Sequence, residues 1–189
     1  MNIYDFDNTI FKGDSSIKFI KYSLLRHPFI VIPSMFKSLW ECIKYVFHRS
    51  DFNKIKSSMF SFVRKIKNID EYLDIYVDKK MKYIKKFYYE NQKDDDVIIS
   101  ATYDFIIKRF CKRLNIKYFI ASKYDIKNGI NIGNNCKGEE KVKRFYEMFK
   151  NPIVNEAYSD SNSDLPMLKL AKTAYLVQDD KIIKLNLNK

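Results

Sequence analysis

The chain has 189 residues, 46% of them hydrophobic and 16% aromatic, with four glycines and four prolines; this supplies one sizeable core, or a core plus a smaller inserted unit, and excludes a low-complexity or linker-dominated protein. The three cysteines, Cys42, Cys111 and Cys136, have neither the number nor the spacing of a disulfide framework or a zinc site, and no basic run followed by an apolar stretch opens the sequence, so a reducing cytoplasm is the expected setting. The formal net charge of +12 allows an anionic partner such as a nucleic acid or an anionic membrane surface. A lysine-rich solvated surface is the preferred reading of the charge, since no nucleic-acid motif accompanies it, and no nucleic-acid partner is expected.

Residues 1–6 read as a short buried strand. Residues 14–90 then read as helices only: 15–25 with Asp14 as its N-cap, 35–47, 52–65 and 70–89. In 35–47, Phe36, Leu39, Trp40, Ile43 and Phe47 share one face, while Lys37, Glu41 and Lys44 lie on another. That apolar face either packs a small core of its own or meets an amphiphile. Stretch 28–47 is the most apolar, but Pro33, Lys37, Glu41 and Lys44 interrupt it, so it does not read as a membrane span. The helical block carries +8 of the net +12. Beyond it come a strand at 96–101, a helix at 103–115, a strand at 118–121, a helix at 139–149 and strands at 153–158 and 174–177. Asp94, Asp95 and Asp96 read as a solvated loop, Asp179 and Asp180 as a turn. Strand and helix alternate, which predicts an α/β fold with a parallel sheet covered on both faces and an inserted all-helical cap. The core is expected at 1–13 and 91–189, the cap at 14–90.

Chemistry-bearing residues collect at the carboxyl ends of the predicted strands, where open parallel sheets bind their ligands. Asp5, Asp7 and Thr9 follow the first strand. Two carboxylates two residues apart share one side of a strand and repel each other unless a cation lies between them. Ser100, Ala101 and Thr102 end the second strand, Lys141 lies near the start of the helix after Gly138, and Asp160 and Asp164 follow the strand at 153–158. Together these make a phosphoryl-transfer site. Asp5 and Asp160 can share a hard cation such as magnesium. One carboxylate can attack phosphorus while another gives a proton to the leaving oxygen. Ser100 and Lys141 would hold the phosphoryl oxygens. Taken singly, Asp14, Asp160 and Asp164 also read as helix caps, and Lys143 and Arg144 rival Lys141.

The strings "DFDNT", "IISAT", "KGEEK" and "SDSNSD" resemble the four motifs of the haloacid dehalogenase superfamily of phosphohydrolases. The resemblance implies a Rossmann-like core with a helical cap after the first motif. It implies Asp5 as nucleophile, Asp7 as general acid and base with its carbonyl oxygen on the metal, Asp160 as a magnesium ligand and Asp164 as its support. It puts Ser100, Ala101 and Lys141 on the phosphate, with Thr9 in support. "DFDNTIFKGDSSIKF" resembles the phosphoserine-phosphatase-like branch, which includes phosphatidylglycerophosphate phosphatases. That branch has Glu near the position of Asp14, Gly where Ser159 stands, Asn where Ser163 stands, and a cap arginine for the substrate carboxylate, for which Arg64 is the nearest candidate.

The expected function is therefore a magnesium-dependent phosphomonoester hydrolase, acting on a small or amphiphilic phosphate and in possible peripheral contact with an anionic membrane; Asp14 is a candidate for substrate selection. Two rivals stay open. A phospho-acceptor signalling domain uses similar residues, but lacks a large insertion after the first strand and has no need of Asp7 as a proton donor. A basic membrane-surface or nucleic-acid binding protein with a decayed site would not need every motif side chain to be present.

Overall fold

The computed structural model describes residues 1–186, so the expected core segment 91–189 runs beyond the described residues at 187–189. Seven strands form one sheet: β1 (Asn2–Tyr4), β2 (Val97–Tyr103), β3 (Tyr118–Asp125), β4 (Ile130–Ile132), β5 (Val154–Ser159), β6 (Ala171–Gln178) and β7 (Lys181–Leu185). Their order is β4-β3-β2-β1-β5-β6-β7. The five inner strands run parallel, while β4 and β7 pair antiparallel at the edges. The sheet is thus mixed, with a parallel centre. The chain leaves β1 for β2 on one side and later pairs β5 on the other, which opens a crevice at the carboxyl end of β1.

Alternation along the short strands divides the core between two faces. Ile3, Val97 and Ile99 pack with Phe145, Met167 and Leu168. Tyr4 and Ile98 face the other way, onto Phe6, Phe11, Tyr88 and Phe110. On that second face Tyr4, Tyr158 and Tyr175 are in register across three neighbouring strands, stacked at 4.6 and 4.7 Å between ring centroids. Each such pair contributes about 0.5–1.5 kcal/mol beyond the area it buries.

Five helices lie between β1 and β2: α1 (Ser15–Arg26), α2 (Pro28–Val46), α3 (Phe52–Phe60), α4 (Ile69–Lys80) and α5 (Lys86–Asn91). Asp14 caps α1 by accepting the Ile17 N–H at 2.8 Å, and Asp51 caps α3 through the Lys54 N–H at 2.9 Å. The helix expected at 52–65 ends at Phe60, with a 3-10 turn at Val63–Lys65 beyond it, and the one expected at 70–89 is divided into α4 and α5 by the turn at Met81–Tyr83. The ends of the insertion are tied together, with Lys12 N–H on the Tyr83 carbonyl and Lys85 N–H on the Ile10 carbonyl, both at 2.8 Å. After β2 come α6 (Asp104–Arg113), α7 (Glu139–Met148) and α8 (Leu165–Leu168). Asp70, Asp74 and Asp78, one turn apart on α4, meet Arg109 and Arg113 on α6; Arg113 lies 2.7 Å from Asp74 and 2.8 Å from Asp78. Exposed pairs of this kind fix orientation more than they add stability.

Two expectations about loops part company. Asp179 does sit in a turn, with φ of 52°. Asp96 is not solvated: it is buried, its carboxylate accepts the Lys93 N–H at 2.9 Å, and burial pushes its pKa up to about 6. It closes the turn that starts β2, while Asp95 takes the amino terminus at 2.9 Å. The three cysteines are free. Among the described residues no helix is long and apolar enough to cross a membrane.

Candidate active site

The carboxyl ends of β1, β2 and β5 open into a cavity of about 470 Å³ roofed by α1 and α3. β1 ends at Tyr4, so Asp5 starts the loop at the crevice, its N–H on the Tyr158 carbonyl at 2.9 Å. Asn8, in the left-handed region at φ 57°, turns the chain back, a conformation Asn tolerates better than most residues. Gly13, at φ 84°, then releases the chain into α1. The β2–β3 ladder slips between Ser100 and Tyr103, a bulge at the cavity wall.

Asp5 is buried, and one carboxylate oxygen, Oδ1, lies 2.6 Å from Lys141 Nζ. Lys141 also reaches Asp164 Oδ2 at 2.6 Å. Of the basic residues on α7, Lys141 alone points inward; Lys143 is exposed and Arg144 is turned to Glu140 and the Ala121 carbonyl. Burial opposes the charge on Lys141, but Asp5 and Asp164 outweigh it and the ammonium holds its proton above the usual lysine range. Burial pushes Asp5 above the usual carboxylate range, against the pull of Lys141. Ser159 donates to Asp164 at 2.8 Å. Asp164 stands at the start of α8 without a side-chain cap bond; its carboxylate serves the lysine instead. Ser159, which stands where the resembled branch has Gly, gives Asp164 a hydrogen bond that a glycine could not.

Asp7 sits over the first turn of α1. Its Oδ1 accepts the Ser15 N–H at 2.6 Å and its Oδ2 the Thr102 hydroxyl at 2.6 Å. Burial first, and then the charge of Asp14, push its pKa up to about 6, against those two bonds. A carboxyl in that range can give up and regain a proton near neutrality. Asp14 is thus both a helix cap and a wall of the cavity.

Thr9 bridges the remaining acids. Its hydroxyl accepts the Asp160 N–H at 2.9 Å and lies 3.4 Å from both Asp5 Oδ2 and Asp160 Oδ1. Asp160 is half-buried and its pKa is raised, chiefly by burial. Ser100 is buried with its hydroxyl accepting the Thr102 N–H at 3.0 Å. Ala101 lines the cavity while its carbonyl accepts from Ser122 at 2.7 Å.

Among the described residues no three His, Cys, Asp or Glu side chains converge into a metal cage. Magnesium needs none, since it binds through one or two carboxylates and keeps several waters. Asp5 Oδ2 and Asp160 converge on a single hydroxyl at the cavity floor, and Asp160 has no basic partner among the described residues. This all-oxygen, net-negative donor set fits a hard cation.

Sequence reasoning missed Lys56. It projects from α3 into the cavity, mostly buried, and donates to the Ala101 carbonyl and to Asn135 Oδ1, both at 2.6 Å. Burial pushes its pKa down to about 8. A lysine ammonium has three donors; beyond these two bonds the Lys56 ammonium stands 4.4 Å from the centroid of the Tyr103 ring. Arg64, the nearest candidate for a cap arginine, is not part of the cavity wall; its side chain lies beside Gly129 and Tyr124. The signal was in the sequence: Phe52, Ile55, Met59 and Phe60 form a helical stripe lining the cavity, and Lys56 interrupts it.

The profile of the haloacid dehalogenase-like hydrolases matches residues 3–169. The chain belongs to this family. No curated protein matches it. Among solved structures, a protein with unknown function from Bordetella pertussis Tohama I superposes with a TM-score of 0.68 at 15% identity, over 92% of this chain and 87% of that one. A family hydrolase from Salmonella enterica serovar Typhi gives 0.58 at 16% identity, over 89% of this chain and 59% of that one. A phosphoserine phosphohydrolase-like protein from Francisella tularensis gives 0.54 at 14% identity, over 92% and 86%. At such identities the likeness establishes the shared fold, and the α/β core around the cavity is that of the family.

Proposed function

We propose that the chain is a cytoplasmic, magnesium-dependent phosphomonoesterase that works through an aspartyl-phosphate on Asp5. Its substrate is an amphiphilic phosphate presented at an anionic membrane surface, and residues 14–90 form the cap over a core of 1–13 and 91–189. The reading rests on geometry: Asp5 and Asp7 open into one cavity with different partners, Asp5 with one oxygen 2.6 Å from the buried Lys141 ammonium and Asp7 held by the Ser15 N–H and the Thr102 hydroxyl. Two carboxylates so placed can divide the work of nucleophile and acid.

The ester binds with its phosphoryl group over Asp5, held by Ser100, the backbone at Ala101 and Lys141. Lys141 is positioned to follow the charge on the phosphoryl oxygens as it redistributes. An Asp5 oxygen attacks phosphorus, the bond to the ester oxygen breaks, and Asp7 protonates the departing alkoxide. Asp7, now ionised, takes a proton from water as that water attacks phosphorus; the Asp5–phosphorus bond breaks, and inorganic phosphate leaves with Asp5 and Asp7 restored. When bound by Asp5, Asp160 and the Asp7 carbonyl, magnesium would supply charge neutralisation for the phosphoryl oxygens. Thr9 and Asp164 keep Asp160 and Lys141 in place. The substrate's leaving group lies against Ile17, Ile20, Met59 and Phe60, an apolar wall with Lys56 and Asp14 as its polar points; this supports an amphiphilic leaving group over free phosphoserine.

Phosphate release should be measured from an aryl phosphate, phosphoserine and phosphatidylglycerophosphate in mixed micelles. Activity is expected to disappear in excess chelator, to return with magnesium, and to favour the lipid phosphate. Full activity in chelator would exclude the metal, and a clear preference for phosphoserine would exclude the amphiphile.

Lys56→Met is expected to raise KM for the phosphate ester by roughly tenfold, the value of one charge-assisted hydrogen bond. Stability should hold, because the Ser122 hydroxyl can give its one proton to either the Ala101 carbonyl or Asn135 Oδ1, and both residues line the cavity. The wild-type KM should rise as pH climbs past about 8, where Lys56 loses its proton. That limb should be missing in the variant; an identical pH profile in both would remove Lys56 from substrate binding.

A further inference from the structure

Helix α2 is built inside out. Its buried residues are Val31, Ser34 and Ser38, with Ser34 accepting from the Ser61 hydroxyl at 3.1 Å and Ser38 donating to the Ile55 carbonyl at 3.1 Å. Its large side chains point into water: Phe29 is 91% exposed, Phe36 65% and Trp40 58%, with Leu39, Ile43 and Phe47 beside them. A helix on a soluble protein turns its apolar stripe to the core. Here the stripe continues from Leu25 through Phe47 with every large apolar side chain on it exposed. The face is too extensive to be a scatter of single exposed residues.

We propose that this face of α2 inserts into the boundary between headgroups and acyl chains of an anionic bilayer, with the helix lying in the membrane plane. Charge supports lipid as the occupant. Residues 21–49 carry Lys21, Arg26, Lys37, Lys44 and Arg49 against the single acid Glu41, and Glu41 is engaged by Lys44 and Ser50. Lys44 and Arg49 border a shallow cavity floored by Trp40, Ile43 and Phe47, so cations stand beside the apolar side chains as an interfacial helix requires. A second copy of the chain fits less well. Phe29, Ile32, Phe36, Leu39, Ile43 and Val46 have the three-four spacing of a coiled-coil seam, but the flanking positions hold Pro33, Met35, Trp40 and Cys42, where a two-stranded coil carries paired charges. The inward side of the same helix lines the active-site cavity through Ser38, so α2 has the site on one side and the apolar face on the other. The proposal deepens the reading of an amphiphilic substrate by naming the element that brings the site to it, and its test needs no turnover.

Trp40 is the only tryptophan, so its fluorescence reports on this face alone. The full chain should be mixed with vesicles of phosphatidylglycerol and phosphatidylcholine, and with phosphatidylcholine alone. With the anionic vesicles, Trp40 emission is expected to shift to the blue and to be quenched by bromine-labelled acyl chains, with co-sedimentation of the protein. The double variant Phe36→Glu, Ile43→Glu should lose vesicle affinity at least about tenfold and keep its melting temperature and aryl phosphatase activity. Quenching in the wild type carries the proposal should that variant misfold. Unchanged emission with the protein in the supernatant would overturn it. So would sedimentation without a blue shift that salt abolishes, which is surface charge alone, or a concentration-dependent dimer that buries Trp40 in place of vesicle binding. An inactive chain that still shows quenching would overturn the phosphatase reading and leave the membrane helix; an active chain without it would do the reverse.

Discussion

Asp5→Asn is expected to lower phosphate release from an aryl phosphate by more than about a thousandfold, the usual consequence of deleting a nucleophile. The amide cannot form the acyl phosphate, and it is a poorer ligand for a hard cation. The fold should survive, because Asn keeps the shape of Asp and its oxygen can still accept from Lys141, which also retains Asp164 at 2.6 Å. Circular dichroism and thermal melting should therefore match the wild type. A variant that keeps more than a few per cent of the rate would remove Asp5 from covalent catalysis.

Lys141→Met should fail in both activity and stability. The Lys141 side chain is 2% exposed and lies 2.6 Å from each of two buried carboxylates. Removing one member of a buried ion cluster leaves the others uncompensated, which costs about 3–5 kcal/mol. The sign of the pH dependence follows. Without the ammonium, Asp5, already raised by burial against the pull of Lys141, would lie further above its unfolded value, so protonation favours the folded form and the variant's deficit should shrink as pH falls from 7 toward 5. Urea unfolding at both pH values measures this. A loss below about 1 kcal/mol, the value of an exposed pair, would mean that the three groups do not form a buried cluster.

The parallel centre of the sheet was legible because its strands are short apolar runs closed by polar, chemistry-bearing residues. The edges were not. β4 (Ile130–Ile132) has three residues, two of them exposed, and β7 (Lys181–Leu185) is almost wholly exposed, so neither carries the hydrophobic pattern that marks a buried strand. Pro33 hid the first part of α2, which runs from Pro28 rather than from 35. Proline removes a helix hydrogen bond, and here the freed carbonyl belongs to Phe29, which lies at the surface. The apolar face of α2 was visible in the sequence but its direction was not. That was decided by α3, against which Ser34 and Ser38 pack. The structure brings Asp5, Asp7, Ser100, Ala101, Lys141, Asp160 and Asp164 to one cavity: Asp5, Asp7, Asp160 and Asp164 follow β1 and β5, Ser100 and Ala101 lie in the last part of β2, and Lys141 reaches in from the first turn of α7. Lys56 comes from the insertion, and its burial depends on how α3 lies over β2.

If Asp5 carries the phosphoryl group during turnover, the group can be trapped there. Enzyme turning over a phosphate ester labelled at phosphorus should be quenched in acid, and a second sample reduced with borohydride and digested for mass spectrometry. The mechanism predicts label retained on the protein, and reduction of the acyl phosphate to homoserine at position 5. Label at another residue, or sustained turnover with no trapped adduct and position 5 unmodified, would contradict it.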